Sequence, residues 1–191
     1  MPRRLLIAPR WAGTAGDDWY PWLLRQELPY EAIDVVPAPA PGAPEIGPWV
    51  AALHAAVAES AIPSEETLLV GHSVGCRALL HMLSGHPSTE SLAQPWPTFA
   101  GMLCVAGWWT VDKPWAGLRP WIRRPINLPR VRATAAPIHV LISDNDPFTA
   151  DWEATVAQWR ELLDAEVTVH EGAAHFNKTE QPEVVAALRV M

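Results

Sequence analysis

The chain has 191 residues and a formal net charge of −7, and 49% of its residues are hydrophobic. This length suits one domain with a sizeable core and is short for two, and the hydrophobic content excludes a chain that is disordered throughout. The acidic balance argues against a nucleic acid as partner, and charges or prolines interrupt every apolar run before it could span a membrane. We therefore expect a single domain over residues 1–191 that binds neither nucleic acid nor membrane.

The N-terminal segment and the cysteines indicate a cytoplasmic protein. Basic residues precede an apolar run, but this run ends at Pro9, too early for the hydrophobic region of a signal peptide. The two cysteines, Cys76 and Cys104, lie in apolar surroundings and fit a reducing compartment better than a disulfide framework. Their spacing is not that of metal ligands, so we expect no metal site.

Short apolar segments alternate with segments of helical spacing along the chain. The pattern predicts strands at residues 4–8, 33–36, 67–70, 101–107, 137–143 and 166–170. It predicts helices at residues 19–28, 49–60, 74–83, 149–163 and 179–190, with Asp17 or Asp18 capping the first and Thr179 the last. Such alternation is typical of the α/β class, with a mostly parallel sheet of about six strands and helices on both faces.

The strongest functional motif is Gly-His-Ser-Val-Gly at residues 71–75, between a predicted strand and a predicted helix. A Gly-x-Ser-x-Gly sequence in this setting is typical of the nucleophile elbow, a strained turn that presents its serine above the sheet. Ser73 is therefore the candidate nucleophile. The backbone N–H of Val74, at the start of the helix, is a candidate oxyanion donor. A chance glycine-spaced serine is the alternative, since such short patterns are common.

A serine nucleophile needs a histidine base and an acid that orients the base; in the α/β-hydrolase fold the chain order is serine, acid, histidine. Asp144 and Asp146 both follow the fifth predicted strand. We favour Asp146, because Pro147 holds it extended, and expect Asp144 to hydrogen-bond its own turn. Of the seven histidines, His175 alone follows the last predicted strand in a loop. A surface role for His175 is the alternative interpretation.

Taken together, these motifs resemble the small serine hydrolases of the retinoblastoma-binding-protein-nine-like family, within the α/β-hydrolase fold. The elbow with its following cysteine, the acid turn and the histidine loop all match, and further landmarks extend the similarity over nearly the whole chain: residues 71–76, 143–147, 174–177, 19–23, 37–41 and Trp49. The resemblance implies a single-domain hydrolase without a large lid, a Ser73-His175-Asp146 triad, and no metal or organic cofactor.

Two positions depart from the family pattern. Ala174 stands where glycine is usual, a small change that is compatible with function. Relatives also tend to carry a glycine after the first strand, where this chain has Pro9-Arg10-Trp11. That turn should supply the second oxyanion N–H, and the amides of Arg10 and Trp11 are both candidates, because the backbone amide is the donor.

Residues 108–132 follow the fourth predicted strand and are rich in tryptophan and arginine. Their prolines exclude one regular helix, so we expect an irregular or broken helical segment over the site. The tryptophans of this segment, Trp108 and Trp109 among them, would line an apolar acyl pocket, and arginines such as Arg123 and Arg124 would attract anionic esters. Two alternatives remain open: the tryptophans pack on the body while the arginines offset local acids such as Asp17 and Asp18, or the segment is a docking surface.

The sequence thus predicts a cytoplasmic serine hydrolase that cleaves small esters, thioesters or amides through an acyl-enzyme. A protein-interaction module on a hydrolase scaffold, or an acyltransferase with the same triad, are the alternatives. The expected partner is a small-molecule acyl substrate, with a protein partner as a second candidate, and the expected assembly is a monomer or weak homodimer.

Overall fold

The structure, a computed structural model, describes residues 2–85 and 97–191. Six strands form one sheet in the order β2-β1-β3-β4-β5-β6, and every neighbouring pair is parallel. The strands are β1 (Arg4–Ala8), β2 (Ala32–Val35), β3 (Thr67–His72), β4 (Gly101–Val105), β5 (Ile138–Ser143) and β6 (Glu166–His170). The predicted parallel sheet is confirmed, with strand boundaries close to those expected.

Helices accompany the strands on both sides of the sheet. Within the described residues they are α1 (Tyr20–Leu23), α2 (Ile46–Ala58), α3 (Val74–Ser84), α4 (Arg119–Arg123), α5 (Leu128–Ala135), α6 (Trp152–Leu163) and α7 (Pro182–Leu188). None of these helices is long and apolar enough to cross a membrane.

Side chains alternate between two apolar layers, one on each face of the sheet. Along β3, Leu69 belongs to the layer that contains residues of α2, α3, α5 and α6. Leu68 and Val70 belong to the opposite layer, which contains residues of α1 and α7. Because β3 is covered on both faces, its sequence is a continuous apolar run rather than an alternating one.

The first helix is shorter than predicted. The sequence predicts a helix over residues 19–28, whereas α1 is a single four-residue turn followed by irregular turns. Neither predicted acid caps it: Asp17 bonds within its own loop, and Asp18 forms an ion pair with Arg10. Proline at position 29 disfavours helical backbone in the residue before it, which limits how far the helix can extend.

Three other helices begin at residues that differ from the prediction. The helix α2 begins at Ile46, because Pro48 is accepted in its first turn. The helix α6 begins later than expected, after Asp151 accepts a hydrogen bond as its N-cap. Thr179 does not cap α7, which begins at Pro182. Residues 108–132 hold only α4 and the first part of α5, so the expected broken segment is confirmed.

Candidate active site

The carboxyl ends of the parallel strands bring four functional loops to one edge of the sheet. The turn after β1 contains Arg10 and Trp11, and β3 ends directly before Ser73. The acid turn follows β5 and the histidine loop follows β6. The candidate residues from four distant parts of the chain are therefore gathered where ligands bind in this class of sheet.

Ser73 has the strained backbone of a nucleophile elbow. Its φ of 55° and ψ of −118° lie outside the regions that a serine normally occupies. The Ser73 N–H donates a 2.9 Å hydrogen bond to the carbonyl of Val105 at the end of β4. This bond and the buried strand before it hold the turn in place, so that Ser73 stands at the start of α3.

The two glycines of the elbow are required by close backbone contacts. A Cβ at Gly71 would lie 2.6 Å from the Cα of Cys76, well inside the van der Waals distance. A Cβ at Gly75 would overlap the carbonyl oxygen of Ala8 at the end of β1. The glycine spacing therefore follows from how tightly α3 approaches β1 and β3.

His175 is oriented by Asp146. Its Nδ1 lies 2.7 Å from Oδ2 of Asp146, and the side chains of both residues are nearly buried. A carboxylate only accepts hydrogen bonds, so Nδ1 carries the proton and Nε2 of the neutral ring is left as an acceptor. The other carboxylate oxygen accepts the N–H of Phe148 at 2.9 Å, which fixes the acid in its turn. The Phe148 ring also packs edge-on against His175, with ring centroids 4.7 Å apart.

Asp144 and Asn145 anchor the loop that carries His175. Asp144 Oδ1 accepts the N–H of Gly172 at 2.8 Å, so Asp144 bonds the histidine loop and not, as predicted, its own turn. Asn145 Oδ1 accepts the N–H of Ala174 at 2.7 Å. No role was predicted for Asn145, although it stands next to Asp146 in the acid turn. Three consecutive side chains of this turn thus hold one loop.

A cavity of about 180 Å³ contains both Ser73 and His175. Most of the other candidate residues line it too, namely Val74, Arg10, Trp11 and Trp108. Trp115, another of the tryptophans expected to line an acyl pocket, also lines the cavity. The remaining lining residues were not predicted from the sequence and are largely apolar: Val111, Leu118, Phe148 and Asn177. The cavity is therefore a small, largely apolar cleft with the candidate nucleophile and the candidate base both in its lining.

The two candidate turn amides differ in their hydrogen bonds. The Arg10 N–H already donates to the hydroxyl of Tyr20 at 3.1 Å. Across the described residues, the N–H groups of Trp11 and Val74 donate to no protein acceptor. Both of these residues line the cavity beside Ser73. Of the two turn amides, Trp11 is thus the one with an open donor.

Trp108 and Trp109 are adjacent in sequence but lie in different surroundings. The indole Nε1 of Trp108 is 3.4 Å from Oγ of Ser73, a long hydrogen bond, and the ring lines the cavity. Trp109 does not line the cavity; its ring packs against Trp159, with centroids 5.0 Å apart, and under the guanidinium of Arg77. Trp109 therefore packs against other residues of the fold and is not part of the cavity lining.

The arginines of residues 108–132 do not gather at the cavity. Arg123 is exposed at the end of α4, and Arg124 lines a separate hollow beside His81. Arg10 is the arginine in the cavity lining, and its guanidinium is paired with Asp18 at 2.5 and 3.1 Å. No group of three or more metal-ligating side chains occurs in residues 2–85 and 97–191. The cleft consequently presents an apolar surface with little unpaired charge.

Cys76 is expected to be dispensable for turnover. Cys76 and Cys104 are fully buried, and burial raises the pKa of the Cys104 thiol. Since burial screens both thiols from the reagent, we expect iodoacetamide to inactivate the protein slowly and Cys76→Ala to keep most of its activity. Ester hydrolysis measured before and after alkylation checks this. Rapid inactivation that Cys76→Ala abolishes would show a functional thiol instead.

The sequence model of a protein family described as Serine hydrolase matches residues 5–183. A comparison with curated proteins finds no match to the chain.

Solved structures share the whole fold. The ydeN gene product of B. subtilis superposes with a TM-score of 0.79 at 20% identity, covering 99% of this chain and 100% of its own. A putative yden-like hydrolase of Pectobacterium atrosepticum gives 0.65 at 19% identity, over 97% and 88%. Naproxen esterase of Bacillus subtilis gives 0.65 at 12% identity, over 97% and 81%. At these identities the likeness concerns the fold, and it confirms the predicted α/β-hydrolase fold.

Proposed function

This chain belongs to the serine hydrolase family, and on that premise we propose that residues 1–191 form one domain that hydrolyses small esters or thioesters through an acyl-enzyme on Ser73. One observation carries the proposal. Ser73 of the strained elbow shares a small cavity with His175, whose Nδ1 is 2.7 Å from Asp146. The elbow, acid-turn and histidine-loop motifs also support a place in the retinoblastoma-binding-protein-nine-like group.

The proposed first half-reaction forms the acyl-enzyme. Oγ of Ser73 attacks the carbonyl carbon while Nε2 of His175 takes the hydroxyl proton, and Asp146 stabilises the resulting imidazolium through Nδ1–H. The oxyanion accepts hydrogen bonds from the open N–H groups of Val74 and Trp11. The intermediate then collapses: the bond to the leaving oxygen or sulfur breaks, and His175 returns the proton to the leaving group.

The second half-reaction releases the acid. A water molecule gives its proton to His175 and its oxygen attacks the acyl carbon, after which the ester bond to Ser73 breaks and Oγ recovers the proton. No metal or organic cofactor takes part in either half. The only co-reactant is water, which reaches the site through the open cleft.

The lining of the cleft supports a small, neutral, apolar acyl group. Trp108, Trp115 and Phe148 supply aromatic walls, and the one lining guanidinium is neutralised by its carboxylate partner. A volume of about 180 Å³ suits a short acyl chain and is small against the cavities of drug-sized ligands.

A series of p-nitrophenyl esters tests the proposal. We expect kcat/KM to be highest for short acyl chains and to fall for long ones, because the chain outgrows the cleft. The neutral butyrate should react faster than the anionic hemisuccinate of similar length, since the carboxylate would lose hydration without gaining an unpaired cation. A hemisuccinate preference that weakens with added salt would instead indicate steering by the exposed arginines.

The same acyl-enzyme is the starting point for the two alternatives. An acyltransferase would pass the acyl group to an added alcohol or amine, so product analysis with such acceptors separates transfer from hydrolysis. A docking surface needs exposed aromatic residues, whereas Trp108 and Trp121 are buried and Trp115, which is 41% exposed, lines the cleft. The burial of Trp108 and the position of Trp115 in the cleft lining support a substrate wall rather than a docking surface.

A further inference from the structure

His72 precedes Ser73 but has its side chain fully buried within the fold. It is 0% exposed, and the rings of Trp19 and Tyr20 pack against it, with centroids 5.7 and 5.9 Å away. A buried imidazole is costly unless both of its nitrogens find partners. Both do: Nδ1 is 2.8 Å from the hydroxyl of Tyr20, and Nε2 is 3.0 Å from the backbone carbonyl of His175.

These contacts fix the direction of each hydrogen bond. A carbonyl oxygen only accepts, so Nε2 of His72 carries the proton and donates to His175. In the neutral ring Nδ1 is then an acceptor for the Tyr20 hydroxyl, whose oxygen accepts the Arg10 N–H at 3.1 Å. Burial, together with the neighbouring His175, lowers the pKa of His72 to about 3, and burial raises the pKa of Tyr20. Both residues are therefore neutral around pH 7.

The resulting chain of bonds joins two loops that the sheet does not join. Arg10 lies in the turn after β1 and His175 in the loop after β6, and three strands separate β1 from β6 in the sheet. The next residue after Arg10 is Trp11, with its open N–H. On the other side, His175 lies between two residues with positive φ, Ala174 at 49° and Phe176 at 54°, which restrict the backbone of that loop.

We propose that Tyr20 and His72 are positioning residues that hold the Trp11 amide and the His175 base at a fixed separation on either side of Ser73. The inference rests on the proposed function, since it concerns the geometry of that same site. Neither side chain touches the substrate; each acts through a backbone group of a loop that does. Small displacements of a base or an oxyanion donor lower turnover strongly, so a change in this separation should be detected as a loss of turnover.

Tyr20→Phe tests the proposal, because it removes one oxygen and keeps the packed ring. We expect kcat to fall about 10- to 100-fold with KM nearly unchanged, since the loops shift while the cleft wall stays. Tyr30→Phe is the matched control: it removes a hydroxyl that donates a 2.7 Å hydrogen bond to the backbone carbonyl of Leu188, and Tyr30 does not line the cleft. We expect Tyr30→Phe to keep full turnover even if it lowers the melting temperature as much as Tyr20→Phe does.

His72 is tested by a rescue pair. The amide of His72→Gln keeps a donor for the carbonyl of His175, whereas His72→Leu keeps only bulk. We expect the glutamine variant to retain at least about 10-fold more turnover than the leucine variant at equal folded fraction. Equal turnover of the two folded variants, or a Tyr20→Phe protein with wild-type kcat, would overturn the proposal. If His72→Leu does not fold, Tyr20→Phe decides alone.

A measurement without turnover separates this inference from the proposed function. Nitrogen-15 NMR of the histidine rings should show His72 as the neutral tautomer with the proton on Nε2. Tyr20→Phe should shift the ring signals of His175 although Tyr20 makes no hydrogen bond to it; Tyr30→Phe should not. Unchanged His175 signals would refute the positioning role. If Tyr20→Phe shifts the His175 signals but the wild-type protein hydrolyses no ester, only the proposed function is contradicted.

Discussion

Replacing Ser73 with alanine is expected to lower kcat roughly 10⁴- to 10⁶-fold, and His175→Ala should do the same. Without Oγ there is no nucleophile to form the acyl-enzyme, and without the imidazole the hydroxyl stays protonated at neutral pH. Steady-state hydrolysis of p-nitrophenyl butyrate measures both losses. Ser64→Ala, in the short helical turn before β3, is the control and should keep wild-type rates.

The effects of Ser73→Ala and His175→Ala on kcat should not be additive. Because Ser73 and His175 act as one unit, the double variant should be about as slow as either single variant. Circular dichroism and the melting temperature establish that each variant is folded. A folded Ser73→Ala protein with more than about a tenth of wild-type turnover would assign the nucleophile to another residue.

Asp146→Asn is expected to lower kcat by about 10⁴-fold. The amide group of the variant can donate to Nδ1 of His175, which favours the ring tautomer with its proton on Nε2 and leaves no acceptor for the Ser73 proton. It also removes the charge that stabilises the imidazolium. The measurement is kcat for a neutral ester across the pH range in which the wild-type rate is constant.

Asp144→Asn is the matched control for the acid. Its side-chain carbonyl can still accept the Gly172 N–H, which Asp144 accepts at 2.8 Å, so the loss should be less than about 5-fold. The two changes are chemically identical and lie two residues apart in one turn. An Asp144→Asn protein more impaired than Asp146→Asn would reverse the proposed assignment of the acid.

The sheet and the candidate triad were predictable because their signals are local. Buried parallel strands leave continuous apolar runs, and the run that ends at Val70 is followed by glycines whose spacing reflects close backbone approach. The parallel topology then puts the loops after the strands at one edge of the sheet. This placement is enough to predict Asp146 as the acid and His175 as the base. The starts of the helices were less well predicted. The helix α2, for example, was predicted to begin after Pro48, but a proline is tolerated in the first turn of a helix, and α2 begins at Ile46.

The parts that were not predicted depend on contacts between distant residues. Trp108 and Trp109 have identical side chains, and which of them faces the cleft depends on how the chain leaves β4 and on Trp159 behind it. The hydrogen bonds from the acid turn to the histidine loop span 28 and 29 residues. The bond from His72 to the carbonyl of His175 spans 103. No local pattern carries such information.

Covalent labelling with a fluorophosphonate tests the nucleophile most directly, because the probe reacts preferentially with an activated serine. Intact mass followed by peptide mapping should find a single adduct, located on Ser73, in the folded wild-type protein. The adduct should be absent from Ser73→Ala and should form far more slowly in His175→Ala. A folded wild-type protein that remains unlabelled, or an adduct on any residue other than Ser73, would contradict the proposed hydrolase site.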